Sequence, residues 1–295
     1  MDFKAKTSEY CAEINHALEK ATELPGVPEL LCSAMRYSLE AGGKRLRPCL
    51  VLAVSDMLGG SREQALALGC GLEMVHTYSL IHDDLPCVDN DDLRRGRPSN
   101  HKVFGEGQAV FAGDALVTYA FEWTLENGLR FNSANYYKAV LELAKRAGAK
   151  GMLAGQSLDL IAEETGEMSE EALYLIHRRK TADMLIAALL MGAYTAEPTR
   201  AELEALEEYG DKIGLLFQLT DDILDAEGDE ALMGKTLGKD DRNNKLTFVR
   251  LYGVDGAKRM AETIAREADG LLTANFPCGS EYLRAMIYYI KDRKN

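Results

Sequence analysis

An all-α architecture is what this sequence predicts, on three observations. Apolar residues recur at i, i+3, i+4 spacing through nearly all of the 295 residues. The seven prolines fall mostly at the edges of those stretches, where a missing N–H and a fixed φ do least harm to a helix. Convincing alternating strands are absent, and Asp-rich or Gly-rich stretches separate the periodic segments instead. No long low-complexity linker divides the chain. The expectation is one domain over residues 1–295, a single large helical bundle around a central cavity.

The segments follow in order. Those near 3–20 and 28–41 are separated by Pro25 and Pro28, and one near 46–58 has Pro48 in its first turn. A segment near 61–85 runs into Pro86, and others near 107–127, 133–148 and 150–164 come after Pro98. A segment near 169–195 stops before Pro198, and one near 199–226 follows it. Stretches near 245–252 and 254–273 lead to Pro277, and a last segment spans about 279–291. Two of these resemble each other in plan, Gly71-Leu72-Glu73-Met74-Val75 and Gly214-Leu215-Leu216-Phe217, which suggests pseudo-symmetric helices facing one another.

Hydrophobic residues make up 46% of the chain and charged residues 27%, ample material for a core. A net charge of −13 argues against nucleic acid as a partner. A polyanionic substrate would therefore have to be held by metal ions and local basic clusters. Cys11, Cys32, Cys49, Cys70, Cys87 and Cys278 show no CxxC pairing, which fits free thiols in a reducing, cytoplasmic setting. Met1-Asp2-Phe3-Lys4 has no signal-type apolar segment, and no run of about 18 apolar residues suggests a membrane span.

Two aspartate clusters end long apolar stretches: Leu80-Ile81-His82-Asp83-Asp84-Leu85-Pro86-Cys87-Val88-Asp89 and Phe217-Gln218-Leu219-Thr220-Asp221-Asp222-Ile223-Leu224-Asp225. Carboxylates beside a core need a compensating charge, and Mg²⁺ commonly takes one or two carboxylates plus substrate phosphates. Two such clusters facing one cavity would form a magnesium–diphosphate clamp. Asp221 and Asp225 lie within roughly 40° on a helix face, with Asp222 roughly 100° away. Asp83 and Asp89 would be roughly 240° apart on an unbroken helix. Pro86 disfavours helix at Leu85, so two looped-out residues can return Asp89 to the place of an i+4 aspartate.

Positive charge collects at a few points. Gly42-Gly43-Lys44-Arg45-Leu46-Arg47-Pro48 is a Gly-Gly turn, then cations, then a helix start, a combination that suits phosphate. Asp91-Asp92-Leu93-Arg94-Arg95-Gly96-Arg97 places guanidinium forks after the first aspartate cluster. His76 stands two turns before Asp83. Lys180-Thr181, Gly234-Lys235-Thr236-Leu237-Gly238-Lys239-Asp240 and Lys245 follow later, so basic loops come after both acidic helices.

These motifs resemble those of the trans-isoprenyl diphosphate synthases, most closely the bacterial farnesyl diphosphate synthases. GGKRLRP (42–48), HTYSLIHDDLPCVDNDDLRRGRPSNH (76–101), GQSLDL (155–160), KTADMLIAA (180–188), FQLTDDILD (217–225) and GKTLGKD…NKLTF (234–248) keep that family's order over essentially the whole chain. The resemblance implies the type I isoprenoid synthase fold and a homodimer. It implies magnesium ligation by Asp83, Asp84, Asp89, Asp221 and Asp225, with three ions, replaceable by Mn²⁺, and Asp222 in the catalytic set. Arg94, Lys180, Thr181, Gln218 and Lys235 match positions for the allylic diphosphate. Lys44, Arg47, His76 and Arg95 match the metal-free site for isopentenyl diphosphate, and Lys245 a further active-site lysine.

The implied reaction is ionisation of an allylic diphosphate and attack by isopentenyl diphosphate on the cation, with water excluded by apolar helices. The basic tail Lys291-Asp292-Arg293-Lys294 is expected to help close the site. Tyr78 lies roughly 7.5 Å along the axis before Asp83 and Ser79 next to it, which makes Tyr78 the expected cavity floor and farnesyl diphosphate the expected product. Geranylgeranyl diphosphate is the alternative product. A terpene cyclase would need no second diphosphate site, and a non-catalytic partner subunit usually lacks one aspartate motif, whereas this chain keeps both.

Overall fold

The structure is a computed structural model that describes residues 1–166, 169–227 and 247–293. It is all-α. The helices are α1 (Phe3–Ala21), α2 (Glu29–Leu39), α3 (Leu46–Met57), α4 (Arg62–Asp83), α5 (Asn100–Phe104), α6 (Glu106–Phe131), α7 (Ala134–Ala147), α8 (Met152–Thr165), α9 (Glu170–His177), α10 (Asp183–Ala193), α11 (Arg200–Glu227), α12 (Phe248–Asn275) and α13 (Glu281–Lys291). A π-turn, Arg178–Ala182, joins α9 to α10. Among the described residues no helix is long and apolar enough to cross a membrane. The described chain divides into two compact units, Asp2–Leu141 with Met191–Glu197, and Met1 and Glu142–Leu190 with Pro198–Asn295.

In the first unit the sequence pattern dictates depth. On α1, Tyr10, Ile14, Leu18 and Ala21 form one buried stripe at helical spacing. Helix α3 is apolar nearly all round, and Pro48 through Ser55 are all buried. Helix α4 packs against both α3 and α6. Gly71 permits the close approach to α6, since a Cβ there would lie 2.4 Å from Thr124 Cγ2. Each leucine or isoleucine so buried contributes about 1.5–3 kcal/mol. Side-chain caps at Asp2 and Ser61 satisfy first-turn amides of α1 and α4.

Two small elements were not visible in the hydrophobic period. Leu93–Arg94 and Arg97–Pro98 pair antiparallel across an Arg95-Gly96 turn in which both residues have positive φ, 53° and 73°. That is the backbone a two-residue hairpin demands. The five-residue α5 follows directly.

In the second unit α11 packs along α12 and α13, and Tyr209 Oη donates to the Leu283 carbonyl at 2.8 Å. Arg146 ties α7 to α10 and α11 through Asp183 (2.8 Å) and Glu207 (2.6 Å). The split expected between 252 and 254 is a kink in α12 at Gly253, with φ 68° and ψ 164°. The stretch expected as one helix over 169–195 is α9, the π-turn and α10. The motif around Lys235 and Lys239, and Lys245 and Lys294, lie outside the described residues.

Candidate active site

Helix α4 ends at Asp83, and the chain then folds back on itself. The Asp89 amide donates to the Asp83 carbonyl at 2.9 Å, the acceptor an i+4 amide would use in an unbroken helix. Leu85 and Val88 take the intervening turn bonds, the Leu85 amide to His82 and the Val88 amide to Leu85. Pro86, with no N–H to give, lies in the looped-out part.

Asp84 points elsewhere. It is 2% exposed, and one of its oxygens accepts from both Nε and Nη2 of Arg94. Burial raises its carboxyl pKa, opposed by the Arg94 hydrogen bond and charge. Asp84 thus anchors Arg94, which Asp91 also approaches at 3.7 Å.

The basic residues converge on one another. Arg95 donates through Nη1 to the Gly42 carbonyl, so the two arginine-bearing loops meet at the Gly42-Gly43 turn. Arg45 is in the left-handed region (φ 45°) and buried, with Nη1 2.7 Å from Glu73 Oε1, Nε on Asn15 and Nη2 on the Leu39 carbonyl. Both charges of that pair are out of water, yet the guanidinium is satisfied on several sides, which is the condition for a buried pair to hold.

Arg47 Nη1 lies 3.2 Å from His76 Nε2. A guanidinium can only donate, so the imidazole accepts on Nε2 and carries its proton on Nδ1. Burial foremost, then the charges of Arg47, Arg95, Arg94 and Arg45, hold the His76 pKa well below its ordinary value. The Arg47 pKa is itself lowered to about 10 by burial, with Glu73 opposing and Arg95 adding to the shift. Arg47 Nε is buried with no partner. A buried charged donor left over in this way is what an incoming anion would satisfy. Lys44 is exposed beside it.

Tyr78, one turn before His82, is 5% exposed and meets the His82 ring edge-on at 5.8 Å. Burial, then the Asp83 charge, pushes its hydroxyl pKa up to about 12. Ser79 donates to the His76 carbonyl at 2.9 Å.

In the second unit the π-turn presents Lys180 and Thr181. Lys180 Nζ is 2.6 Å from Asp159, and Thr181 Oγ1 donates to Gln218 Oε1 at 2.7 Å. Gly155 lets α8 lie directly on the turn, since a Cβ there would be 2.2 Å from the Lys180 nitrogen. On α11, Asp221 and Asp225 are half-buried at i, i+4 spacing. Asp222 is buried and accepts the Phe248 amide at 2.7 Å, fastening the start of α12. Arg293 reaches Asp221 at 2.8 Å, with its guanidinium 3.9 Å from the Phe217 ring centroid.

Asp159 and Glu73 were not singled out from sequence. Each is a carboxylate inside an apolar helical stretch, the same signal that marked the aspartate clusters. A cavity of about 720 Å³ between α9, α11 and α12, lined by Tyr174, His177, Asp211 and Leu215 among others, includes none of the expected site residues.

Among the described residues no three His, Cys, Asp or Glu side chains converge as a complete metal cage. Asp83 with Asp89, and Asp221 with Asp225, offer oxygen donors of the kind a hard cation takes together with water and phosphate oxygens.

The polyprenyl synthetase profile matches residues 28–271. Over 294 residues the chain is 43% identical to the chloroplastic geranylgeranyl pyrophosphate synthase of Capsicum annuum, covering 100% of this chain and 79% of that one. It is 45% identical over 260 residues to the farnesyl diphosphate synthase of Bacillus subtilis (strain 168), covering 88% of each. A solved structure of a geranyltransferase from Helicobacter pylori, complexed with magnesium and isoprenyl diphosphate, superposes with a TM-score of 0.84 at 35% identity, covering 97% of each chain.

Proposed function

This chain belongs to the polyprenyl synthetase family, and from that we propose that it condenses isopentenyl diphosphate head-to-tail with dimethylallyl and geranyl diphosphates to give farnesyl diphosphate. One observation carries the reading: beside the Asp83–Asp89 loop stands a separate basic pocket with an unpartnered buried donor, Arg47 Nε. Ionising one diphosphate needs no such pocket; joining two diphosphates does.

Asp83, Asp89, Asp221 and Asp225 would hold magnesium, which when bound would supply charge neutralisation of the leaving diphosphate. Arg94 and Lys180, preset by Asp84 and Asp159, add cationic donors to that group. Lys235 and Lys245 are proposed to join them. Arg47, His76, Lys44 and Arg95 orient isopentenyl diphosphate so that its double bond meets the allylic carbon as the C–O bond breaks. The departing diphosphate is the base proposed to take the proton that is then lost. The Thr181 and Gln218 pair supplies dipoles near the cation. Residues 1–295 are proposed to act as one catalytic domain, as a homodimer. Six free thiols support a reducing, cytoplasmic setting.

Product length has two supported readings. The large buried Tyr78 and the looped first motif support farnesyl diphosphate, as does the Bacillus relative. The Capsicum relative supports geranylgeranyl diphosphate. Incubation with dimethylallyl and isopentenyl diphosphates and Mg²⁺, with products read by mass, is expected to give C15. A C20 product would replace the farnesyl reading, and no condensation would end both.

A further inference from the structure

Two thiols meet beneath the Gly42–Pro48 turn, and the condensation chemistry uses neither. Cys11 on α1 and Cys49 in the first turn of α3 have their sulfurs 3.8 Å apart. Cys49 is wholly buried, whereas Cys11 is half-buried and donates to the Lys44 carbonyl at 3.7 Å. Four residues on, Asn15 accepts from Arg45 Nε at 3.0 Å, so this face of α1 already braces the turn. The hydrogen bond from Cys49 foremost, with help from Arg45, outweighs burial and lowers the Cys11 pKa to about 7. Thiolate, the reactive form, is thus available near neutrality on the more exposed of the two sulfurs.

We propose that Cys11 and Cys49 form an oxidisable pair, a covalent modification site whose closure to a disulfide distorts the adjoining isopentenyl diphosphate pocket. The pocket half of this statement rests on the function assigned above to Lys44 and Arg47. The oxidant is a hydroperoxide. The Cys11 thiolate attacks its terminal oxygen, the O–O bond breaks, and a sulfenic acid forms with release of hydroxide. The Cys49 sulfur then displaces that oxygen: the S–S bond forms, the S–O bond breaks, and the Cys49 proton leaves in water. Two thiols lose two electrons and one hydrogen peroxide becomes two waters. A dithiol reverses the step.

The geometry links this chemistry to the pocket. An S–S bond is about 2.05 Å, so the sulfurs must close by about 1.8 Å from their present separation. Cys49 is separated from Arg47 only by Pro48, in the same helical turn, and Cys11 holds the carbonyl of Lys44. Displacements of about 1 Å in a substrate-positioning group can cost about 10²-fold in rate.

The full chain is treated with hydrogen peroxide, alkylated and mapped by mass spectrometry, and assayed with each substrate varied before and after dithiothreitol. The expected result is a Cys11–Cys49 linked peptide and a rise of about threefold or more in KM for isopentenyl diphosphate, restored by the dithiol. Cys11→Ser, and independently Cys49→Ala, should show neither change. The proposal falls if no linked peptide forms, if the linked enzyme keeps its KM, or if Cys11→Ser shows the same peroxide-induced rise. An inactive reduced enzyme would instead remove the assigned function and the pocket half with it, while the mapped peptide still decides the thiol chemistry.

Discussion

The Asp89 amide lies 2.9 Å from the Asp83 carbonyl, with two surplus residues looped out after the helix end. Backbone, not side chain, therefore sets the spacing of the first aspartate pair. Substituting either carboxylate should leave that loop standing while removing charge from the site.

Asp83→Ala and Asp221→Ala should each lower turnover by about 10²-fold or more, with the helical circular dichroism unchanged. Steady-state rates at saturating Mg²⁺ check this. Near-normal turnover in either variant would show that the two clusters do not share one load.

Arg47→Ala and Lys180→Ala should fail differently. Losing Arg47 removes the buried donor of the metal-free pocket and should raise KM for isopentenyl diphosphate about 10-fold or more. Losing Lys180 should instead depress kcat, since its ammonium is assigned to the leaving group. Identical defects toward both substrates would overturn the division of the site.

A pH prediction follows from His76. Its folded pKa lies well below the ordinary 6.5, so below that pH the unfolded chain binds a proton that the folded chain refuses. The stability tied to neutral His76 is complete above about pH 6.5 and falls as pH drops toward the folded value, by up to about 1.4 kcal/mol per pH unit. Urea unfolding of the protein and of His76→Gln between pH 7 and 5.5 should show the steeper loss in the unsubstituted chain. Parallel slopes would mean that His76 takes up its proton while folded.

Tyr78→Ala should open space one turn before His82 and move the product from C15 toward C20 without abolishing condensation. Product mass is the readout. A folded, active variant that still stops at C15 would clear Tyr78 of the role.

How much of this was legible follows from what each feature depends on. Helix positions came from a repeating apolar pattern, and the break at Gly253 from the one residue type that tolerates φ 68° there. The return of Asp89 came from Pro86. The Arg94–Asp84 and Lys180–Asp159 pairs were not legible, because one joins a helix end to a hairpin and the other joins residues 21 apart. Periodicity carries no information about which carboxylate a cation will choose across such a gap. The π-turn escaped for a related reason: its residues have ordinary helical character, and the close packing of Gly155 against it is a contact between distant segments.

That π-turn also acts as a phase shifter. One surplus residue in a continuous helix turns everything beyond it by about 100°. Helix α9 buries Leu173 and Ile176 before the turn, and α10 buries Met184 through Leu190 on every side after it. Lys180 and Thr181 fall within the turn itself, Thr181 buried and Lys180 half-buried. A single-residue deletion anywhere in 178–182 would barely shorten the helix. It would rotate α10 against α9, and either the core or the two polar side chains would have to surrender their place.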